Sequence, residues 1–307
     1  MGKIVNKLHG GVMPASLTLW KADGSFHREA QERYWQWLFD NGVDGLSVCG
    51  STGENMAMET EEQKEIIKAA ADFMKGSGAP LYAGTGKYST AHTISLSRYA
   101  EEVGADGVMV INPYYFTPYK RAVKEHFREI HQNIGIDILI YNNPWFAGYE
   151  LSAREIRELV DEGVIGSVKS AHGDANRVVD LKYECGDKLV VMYGHDYDPM
   201  EALLCGADGW LSGLPAAFPK FSVALYKAAA VEKNVDKSRE IWSHMIPFMN
   251  YFYTYKTNDP HWLEIFKYVL ECQGVKDVGT ARKPLGEISA EEKKKIEKTL
   301  EPLSAYL

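Results

Sequence analysis

A single lysine closes one of the short apolar segments of this chain. Segment 164–171 has the composition of a buried strand, and Lys169 stands at its C-terminal end. Lysines are almost never fully buried unless another group pairs with them or their amine has a chemical function. Burial disfavours the ammonium form, so the pKa falls and a neutral amine becomes available near pH 7. Such an amine can form a Schiff base with a ketone. The alternative is a strand-end lysine that extends its amine into water.

The elements around this lysine alternate between short apolar runs and longer stretches with helical spacing. We predict eight strands, with helices between them, at 12–19, 45–49, 80–84, 107–111, 136–141, 164–169, 189–193 and 208–212. This pattern predicts an α/β fold, a (β/α)8 TIM barrel over residues 1–220. Three further helical stretches (221–232, 235–256 and 260–273) predict a C-terminal helical region, 221–307, packed on the barrel. A doubly wound open sheet is the alternative, but no GxGxxG fingerprint follows the first strand.

Polar residues follow several of the predicted strands, where a parallel barrel carries its active site. Tyr141 ends the fifth strand beside Lys169, and neighbouring strands lie about 4.8 Å apart. The phenol and the amine can therefore meet, and the phenol could move protons. Ser51, Thr52 and Gly53 follow the second strand in a Gly-Ser-Thr-Gly turn, whose N–H and hydroxyl groups could hold a carboxylate. A half-buried barrel tyrosine and an ordinary Gly/Ser turn are the alternatives.

Composition and charge exclude several other classes. The net charge of −8 argues against a nucleic-acid partner. We find no apolar stretch long enough for a membrane helix and no signal-peptide pattern at the start. The four cysteines are scattered, which favours reduced thiols and a cytoplasmic location. Segment 84–89 fails the spacing of a phosphate-binding loop, and no metal-ligand motif is present. We therefore expect chemistry without a metal or other cofactor.

Four motifs occur in order along the chain: Gly-Ser-Thr-Gly-Glu at 50–54, Pro-Tyr-Tyr at 113–115, Tyr-Asn-x-Pro at 141–144 and Lys-x-x-x-Gly-Asp at 169–174. Together they resemble the dihydrodipicolinate synthase / N-acetylneuraminate lyase family of class I, Schiff-base aldolases. The resemblance covers about residues 8–300. It implies a (β/α)8 barrel with C-terminal helices, usually a homotetramer, that acts on pyruvate or a related 2-oxo acid without a metal.

The resemblance also implies roles for individual residues. Lys169 matches the Schiff-base lysine and Tyr141 the proton-transferring phenol. Ser51 and Thr52 match the pair that holds the carboxylate of the 2-oxo acid, with Ser51 linking the proton relay. Tyr115 matches the tyrosine that crosses a subunit interface to complete the relay of a neighbouring subunit.

Other positions depart from two named members of the family. Lysine-pathway synthases resemble one another in an arginine five residues after the relay tyrosine, which grips a second carboxylate, but this chain has Phe146 there. Phenylalanine cannot make that bidentate contact. Sialic acid lyases hold a sugar tail with an Asp-Glu pair, which here is Asp196 and Tyr197, so only Asp196 remains as a candidate substrate-binding residue. Their threonine two places after the lysine is Ala171. Both identities are therefore disfavoured.

Three further residues are candidates for substrate contact. His172 stands where the family usually has serine or threonine, and His195 follows the seventh strand. Each could contact a substrate hydroxyl or act as an acid or base, or could simply be a loop histidine bonded to backbone. Gly213 ends a segment, 206–213, that resembles the sugar-acid branch of the family.

Three hypotheses follow for the activity. The first is a lyase that cleaves a 2-keto-3-deoxy sugar acid, or a related 4-hydroxy-2-oxo acid, to pyruvate and an aldehyde. The second is a dehydratase that uses the same lysine to expel water from such an acid. The third is an inactive, ligand-binding member of the family. An N-acetylneuraminate lyase or a dihydrodipicolinate synthase proper remains a further alternative.

Overall fold

Eight parallel strands form a nearly closed barrel in this computed structural model, which describes residues 8–116, 118–254 and 260–307. The strands are β1 Gly11–Pro14, β2 Leu46–Val48, β3 Leu81–Gly84, β4 Gly107–Ile111, β5 Asp137–Asn142, β6 Ser167–Ser170, β7 Val190–Tyr193 and β8 Gly209–Ser212. Each strand pairs with the next along the chain from β2 to β8, and β8 pairs with β1. A bridge between Ala15 and Ser47 joins β1 to β2. The predicted (β/α)8 barrel is confirmed.

Helices surround the barrel and continue beyond it. They are α1 Arg28–Asp40, α2 Thr60–Met74, α3 Thr90–Val103, α4 Lys120–Asn133, α5 Pro144–Ala147, α6 Ala153–Asp161, α7 Asn176–Cys185, α8 Pro199–Leu204, α9 Leu214–Ala217, α10 Pro219–Tyr226, α11 Val235–Thr254, α12 Trp262–Cys272 and α13 Ala290–Leu300. The capping box at the start of α6, in which Ser152 and Glu155 bond each other's backbone, fixes where that helix begins.

The first and sixth predicted strands differ most from the structure. The first strand ends at Pro14. The Ala15 and Ser16 N–H groups still donate to the carbonyls of Ser212 and Ser47, but from Leu17 onward the backbone bonds to a side chain of α1. The Leu19 N–H donates to Gln31 Oε1 at 2.8 Å, and Gln31 Nε2 donates to the Leu17 carbonyl at 3.0 Å. The sixth strand begins only at Ser167, since the Val164 N–H donates to the Leu159 carbonyl at the end of α6.

The helices that follow β8 cover one side of the barrel. α10 packs against β1, and α12 contacts α9. Trp242, Met245 and Phe248 of α11 are buried in the main core. The division into units at residue 220 remains a prediction. Residues 255–256 of the second predicted C-terminal stretch, 235–256, and the first seven residues of the chain lie outside the described part.

None of the helices in the described ranges is long and apolar enough to cross a membrane.

Candidate active site

Lys169 and Tyr141 face each other at the C-terminal ends of two adjacent strands. The ladder between β5 and β6 pairs these residues directly, as their positions in the sequence predict. The Lys169 Nζ lies 4.1 Å from the centroid of the Tyr141 ring. Both residues are buried, with 4% and 6% of their surfaces exposed. The alternative of a solvent-exposed lysine at a strand end is therefore wrong.

Burial and one carboxylate set the charge of this amine. Desolvation lowers the pKa of Lys169 to about 8, against a smaller opposing effect from the charge of Asp196. Asp196 is itself buried, and desolvation raises its pKa to about 6. Its Oδ2 accepts the Leu214 N–H at 3.2 Å. At neutral pH part of the Lys169 population therefore carries an unprotonated amine, which is the form that attacks a ketone.

A glycine on the next strand makes room for the lysine. Gly194 follows β7, and a Cβ placed there would lie 2.6 Å from the Lys169 Cγ and 2.7 Å from its Cε. Any side chain at this position would displace the lysine. This role of Gly194 could not be predicted from the sequence, because a glycine after a strand is an ordinary feature and the contact arises only when β6 and β7 pair.

The phenol of Tyr141 has polar neighbours that fix its orientation. The Asn143 Nδ2 donates to the phenol oxygen at 2.8 Å, and Asn143 is also buried. Burial raises the pKa of Tyr141 to about 12, while hydrogen bonds from Asn143 and Ser51 lower it. The phenol thus remains protonated at neutral pH and can donate a proton. Sequence reasoning missed Asn143, although it lies within the Tyr-Asn-Asn-Pro motif.

The turn after β2 brings Ser51 to the same place. Ser51 interacts with the Tyr141 phenol, and Thr52 is buried next to it. The turn is closed by a bond from the Gly53 N–H to the Gly50 carbonyl at 3.0 Å. From outside the turn, Thr18 Oγ1 donates to the Gly53 carbonyl at 2.8 Å. The turn therefore has a fixed shape, with Ser51 directed at the phenol of Tyr141.

A cavity of about 610 Å³, including its open mouth, adjoins these residues. Its wall is made by Cys49, Gly50, Ser51, Asn55, Met56, Gly84, Gly86, Met109, Ile111, Tyr114, Tyr141 and Phe146. Lys169 is not part of this wall and borders the cavity through the ring of Tyr141. Within the described wall there is no lysine or arginine, and Met56, Ile111 and Phe146 make it largely apolar. The described residues also contain no group of three or more His, Cys, Asp or Glu that could hold a metal.

Gly213 and the two histidines have polar neighbours of their own. Gly213 is close to Asp196: a Cβ added there would lie 3.2 Å from Asp196 Oδ2. His172 contacts Glu150 through Nε2 and Ser170 through Nδ1, and burial lowers its pKa to about 4. His195 Nδ1 accepts the Tyr197 N–H at 3.2 Å. None of the three belongs to the cavity wall given above, so their roles toward substrate remain predictions.

Tyr115 is on the surface rather than in the cavity. It is 88% exposed, has a φ of 79°, and its ring stacks edge-on against Phe116 at 4.9 Å. Its neighbour Tyr114 lines the cavity instead. An exposed aromatic residue in a left-handed backbone conformation is unusual. The predicted crossing of Tyr115 into another subunit remains a prediction.

Comparison with known proteins gives one family. The profile described as "Dihydrodipicolinate synthetase family" matches residues 8–303. A 4-hydroxy-tetrahydrodipicolinate synthase from Methanothrix thermoacetophila is 30% identical over 96% of this chain and 97% of its own.

Solved structures agree with this match. Dihydrodipicolinate synthase from Aquifex aeolicus has a TM-score of 0.87 and 29% identity, over 97% of this chain and 99% of its own. A prophage protein of the dihydrodipicolinic acid synthase family from E. coli K12, in complex with pyruvate, has a TM-score of 0.89 and 26% identity, over 97% and 99%.

Proposed function

The chain belongs to the dihydrodipicolinate synthetase family, whose members are lyases that use a lysine Schiff base, and we propose that Lys169 is this lysine. We propose further that the enzyme cleaves a 2-keto-3-deoxy sugar acid, or a related 4-hydroxy-2-oxo acid, to pyruvate and an aldehyde. The observation that carries the assignment is the buried amine of Lys169 beside the phenol of Tyr141.

The reaction begins at the ketone carbon of the substrate. The neutral Lys169 amine attacks C2, and Tyr141 donates a proton to the departing hydroxyl, so that water leaves and an iminium forms. The turn with Ser51 and Thr52 holds the adjacent carboxylate. The C4 hydroxyl then loses its proton to Tyr141, the C3–C4 bond breaks, and its electrons move into the iminium to give an enamine. The aldehyde leaves, and Tyr141 returns the proton to C3 of the enamine to give the iminium of pyruvate. Water then adds to C2 and releases pyruvate and the free amine, while one proton of that water restores the Tyr141 phenol.

The cavity wall favours a substrate in which the part released as the aldehyde carries no charge. Phe146 stands there in place of an arginine, and the described wall has no other cation that could pair with a second carboxylate. Its apolar side chains, Met56 and Ile111, suit the carbon atoms of a short chain. Binding a second carboxylate without a paired cation would leave a charge partly desolvated, which is costly.

A 4-hydroxy-tetrahydrodipicolinate synthase is the second candidate, because curated relatives carry that name. Phe146 is the residue that weighs against it. A dehydratase uses the same lysine and phenol, and an inactive binding protein would keep the cavity without the chemistry.

The assembly and location form part of the proposal. We propose a homotetramer in the cytoplasm, in which Tyr115 of one subunit completes the relay at Ser51 of a neighbour. The exposure of Tyr115 and Phe116 supports this, since large exposed aromatic side chains are typical of interfaces.

The decisive experiment is reductive trapping. The protein is incubated with pyruvate and borohydride, and its intact mass is measured. We expect a pyruvate-derived adduct that is absent in Lys169→Ala and present in Lys188→Ala, a control at an exposed lysine. If no adduct forms with any small 2-oxo acid, the proposal of an enzyme is overturned and the hypothesis of an inactive, ligand-binding protein remains.

Product analysis separates the remaining candidates. With a panel of 2-keto-3-deoxy acids, cleavage releases pyruvate, whereas dehydration keeps the carbon chain whole. Formation of 4-hydroxy-tetrahydrodipicolinate would instead establish the synthase.

A further inference from the structure

A second buried lysine lies outside the proposed chemistry. Lys267 of α12 has 4% of its side chain exposed and pairs with Glu54, whose side chain is 2% exposed, at 3.1 Å. The ammonium also donates to the carbonyls of Thr18 at 2.8 Å and Thr280 at 3.0 Å. Three acceptors thus meet the three N–H bonds of the ammonium, which is the arrangement of a charged lysine rather than of a nucleophile.

Both carboxylate oxygens of Glu54 also accept hydrogen bonds. Its Oε1 accepts the Trp20 Nε1–H at 3.0 Å, and its Oε2 accepts the Arg282 N–H at 2.7 Å. Its backbone has a φ of 61°, in the left-handed region that non-glycine residues rarely adopt. Such a conformation persists only where the surroundings impose it. The pair with Lys267 is part of those surroundings.

The position of Glu54 connects this pair to the active site. Glu54 ends the turn that carries Ser51 and Thr52, and its N–H donates to the Ser51 carbonyl at 3.0 Å. Thr18 contacts both sides of the network: its carbonyl accepts from Lys267, and its hydroxyl donates to the Gly53 carbonyl. The turn is therefore tied to a helix far along the chain, beyond the barrel.

A buried ion pair is weak support for stability alone, because a well-packed apolar pair is often as stable. We propose that Glu54 and Lys267 are positioning residues, which hold the turn with Ser51 and Thr52 in the shape that binds the carboxylate of the 2-oxo acid. The proposal rests on the function proposed for that turn. It makes α12 a part of the substrate site, although neither residue touches the substrate.

Two variants and one control test this role. Lys267→Met removes the cation and leaves the Glu54 carboxylate without its ion-pair partner. The double variant, Glu54→Gln with Lys267→Met, removes both charges, so that no buried ion lacks a partner. Arg33→Gln is the control, because Arg33 pairs with Asp277 at 2.6 Å and joins α1 to the segment after α12 without contacting the turn.

The first measurement is pyruvate-dependent trapping at Lys169. We expect the half-saturating pyruvate concentration to rise about tenfold or more in both variants, since losing one charge-assisted hydrogen bond to the carboxylate costs about that factor in affinity. The trapping rate at saturation should change less than about threefold, because the amine and phenol are untouched. Arg33→Gln should change neither.

The second measurement, hydrogen–deuterium exchange, does not depend on catalysis. In both variants the bonded amides of Gly53, Glu54 and Asn55 should exchange about tenfold faster or more, while those of β5 stay protected. If the wild type forms no adduct, the proposed function fails and exchange alone decides the positioning role.

The proposal would be overturned if a folded variant kept the wild-type half-saturating pyruvate concentration and the wild-type amide protection of the turn. It would also be overturned if Arg33→Gln changed these two quantities as much as the variants do. If Lys267→Met unfolds, the double variant is the test. If neither variant folds, the pair serves folding rather than positioning, and the proposal is overturned.

Discussion

The pH dependence of Schiff-base formation is the sharpest consequence of the geometry at Lys169. Burial lowers the pKa of this amine from 10.5 to about 8. At pH 7 the neutral fraction therefore rises from about 0.03% to about 9%, an increase of about 300-fold. The second-order rate of trapping at subsaturating pyruvate should follow that fraction. It should fall about tenfold for each pH unit below the pKa and reach a plateau above it.

Asp196 provides the internal control for this prediction. Its negative charge raises the pKa of Lys169 against the effect of burial, so Asp196→Asn should lower the pKa further and shift the profile toward acid. At pH 7 the variant should therefore be trapped faster than wild type if the lysine remains in place. Because the pKa of Asp196 is itself about 6, its charge is lost below that pH, and the two profiles should converge there.

The assay is the initial rate of adduct formation with pyruvate and cyanoborohydride, followed by intact mass between about pH 5 and pH 11. Lys169→Ala sets the background. An inflection near 10, as for an exposed lysine, would refute the claim that burial sets the reactivity of this amine. A shift of the Asp196→Asn profile toward alkali would refute the role given to the carboxylate.

Four substitutions extend these expectations. Tyr141→Phe should still form an adduct but slow turnover by about 10²-fold or more, measured as kcat, since a general acid contributes about that factor; wild-type turnover would remove the phenol from the mechanism. Gly194→Ala should fold normally by circular dichroism yet lose about 10²-fold in trapping, because its Cβ would lie 2.6 Å from the Lys169 Cγ and displace the amine; a wild-type trapping rate would contradict this. Phe146→Arg should raise kcat/KM at least about tenfold for an aldehyde that carries a carboxylate relative to an uncharged one, and no change in that ratio would mean that this position does not face the second substrate. Mixing inactive Tyr115→Phe with inactive Lys169→Ala subunits should restore part of the activity, whereas no recovery in verified mixed oligomers would refute the crossing tyrosine.

The order of elements and the central pair of residues could be predicted from the sequence for one reason. In a parallel barrel, strands adjacent in sequence are adjacent in space, so residues at the ends of the fifth and sixth strands must meet. Tyr141 and Lys169 do so in direct register. The C-terminal end of β1 was harder to predict, because the backbone at Leu17 and Leu19 bonds the side chain of Gln31, and apolar composition carries no information on those bonds.

Contacts between distant parts of the chain were beyond sequence reasoning. The sequence shows Glu54 only as the last residue of a motif and Lys267 only as one lysine in an apolar helical stretch, with no pattern that relates them. Their pairing depends on how α12 packs beside the barrel, which no local pattern specifies. The role of Gly194 has the same origin, since its meaning lies in the side chain on the neighbouring strand.

Lys169 and Lys267 are both buried, but their surroundings differ in how well they stabilise an ammonium. Desolvation lowers the pKa of both Lys169 and Lys267, and both are 4% exposed or less, so burial alone does not identify the nucleophile. Lys267 has a carboxylate at 3.1 Å and two carbonyls within hydrogen-bond distance, all of which stabilise its charged form. Lys169 instead meets the face of the Tyr141 ring, and the charge of Asp196 offsets only part of the desolvation. A ring face supports an ammonium less than a set of oxygen acceptors does, so the neutral amine remains accessible where the ketone arrives. The lysine that we propose as the nucleophile is therefore the one whose desolvation is offset less by hydrogen bonds and charge.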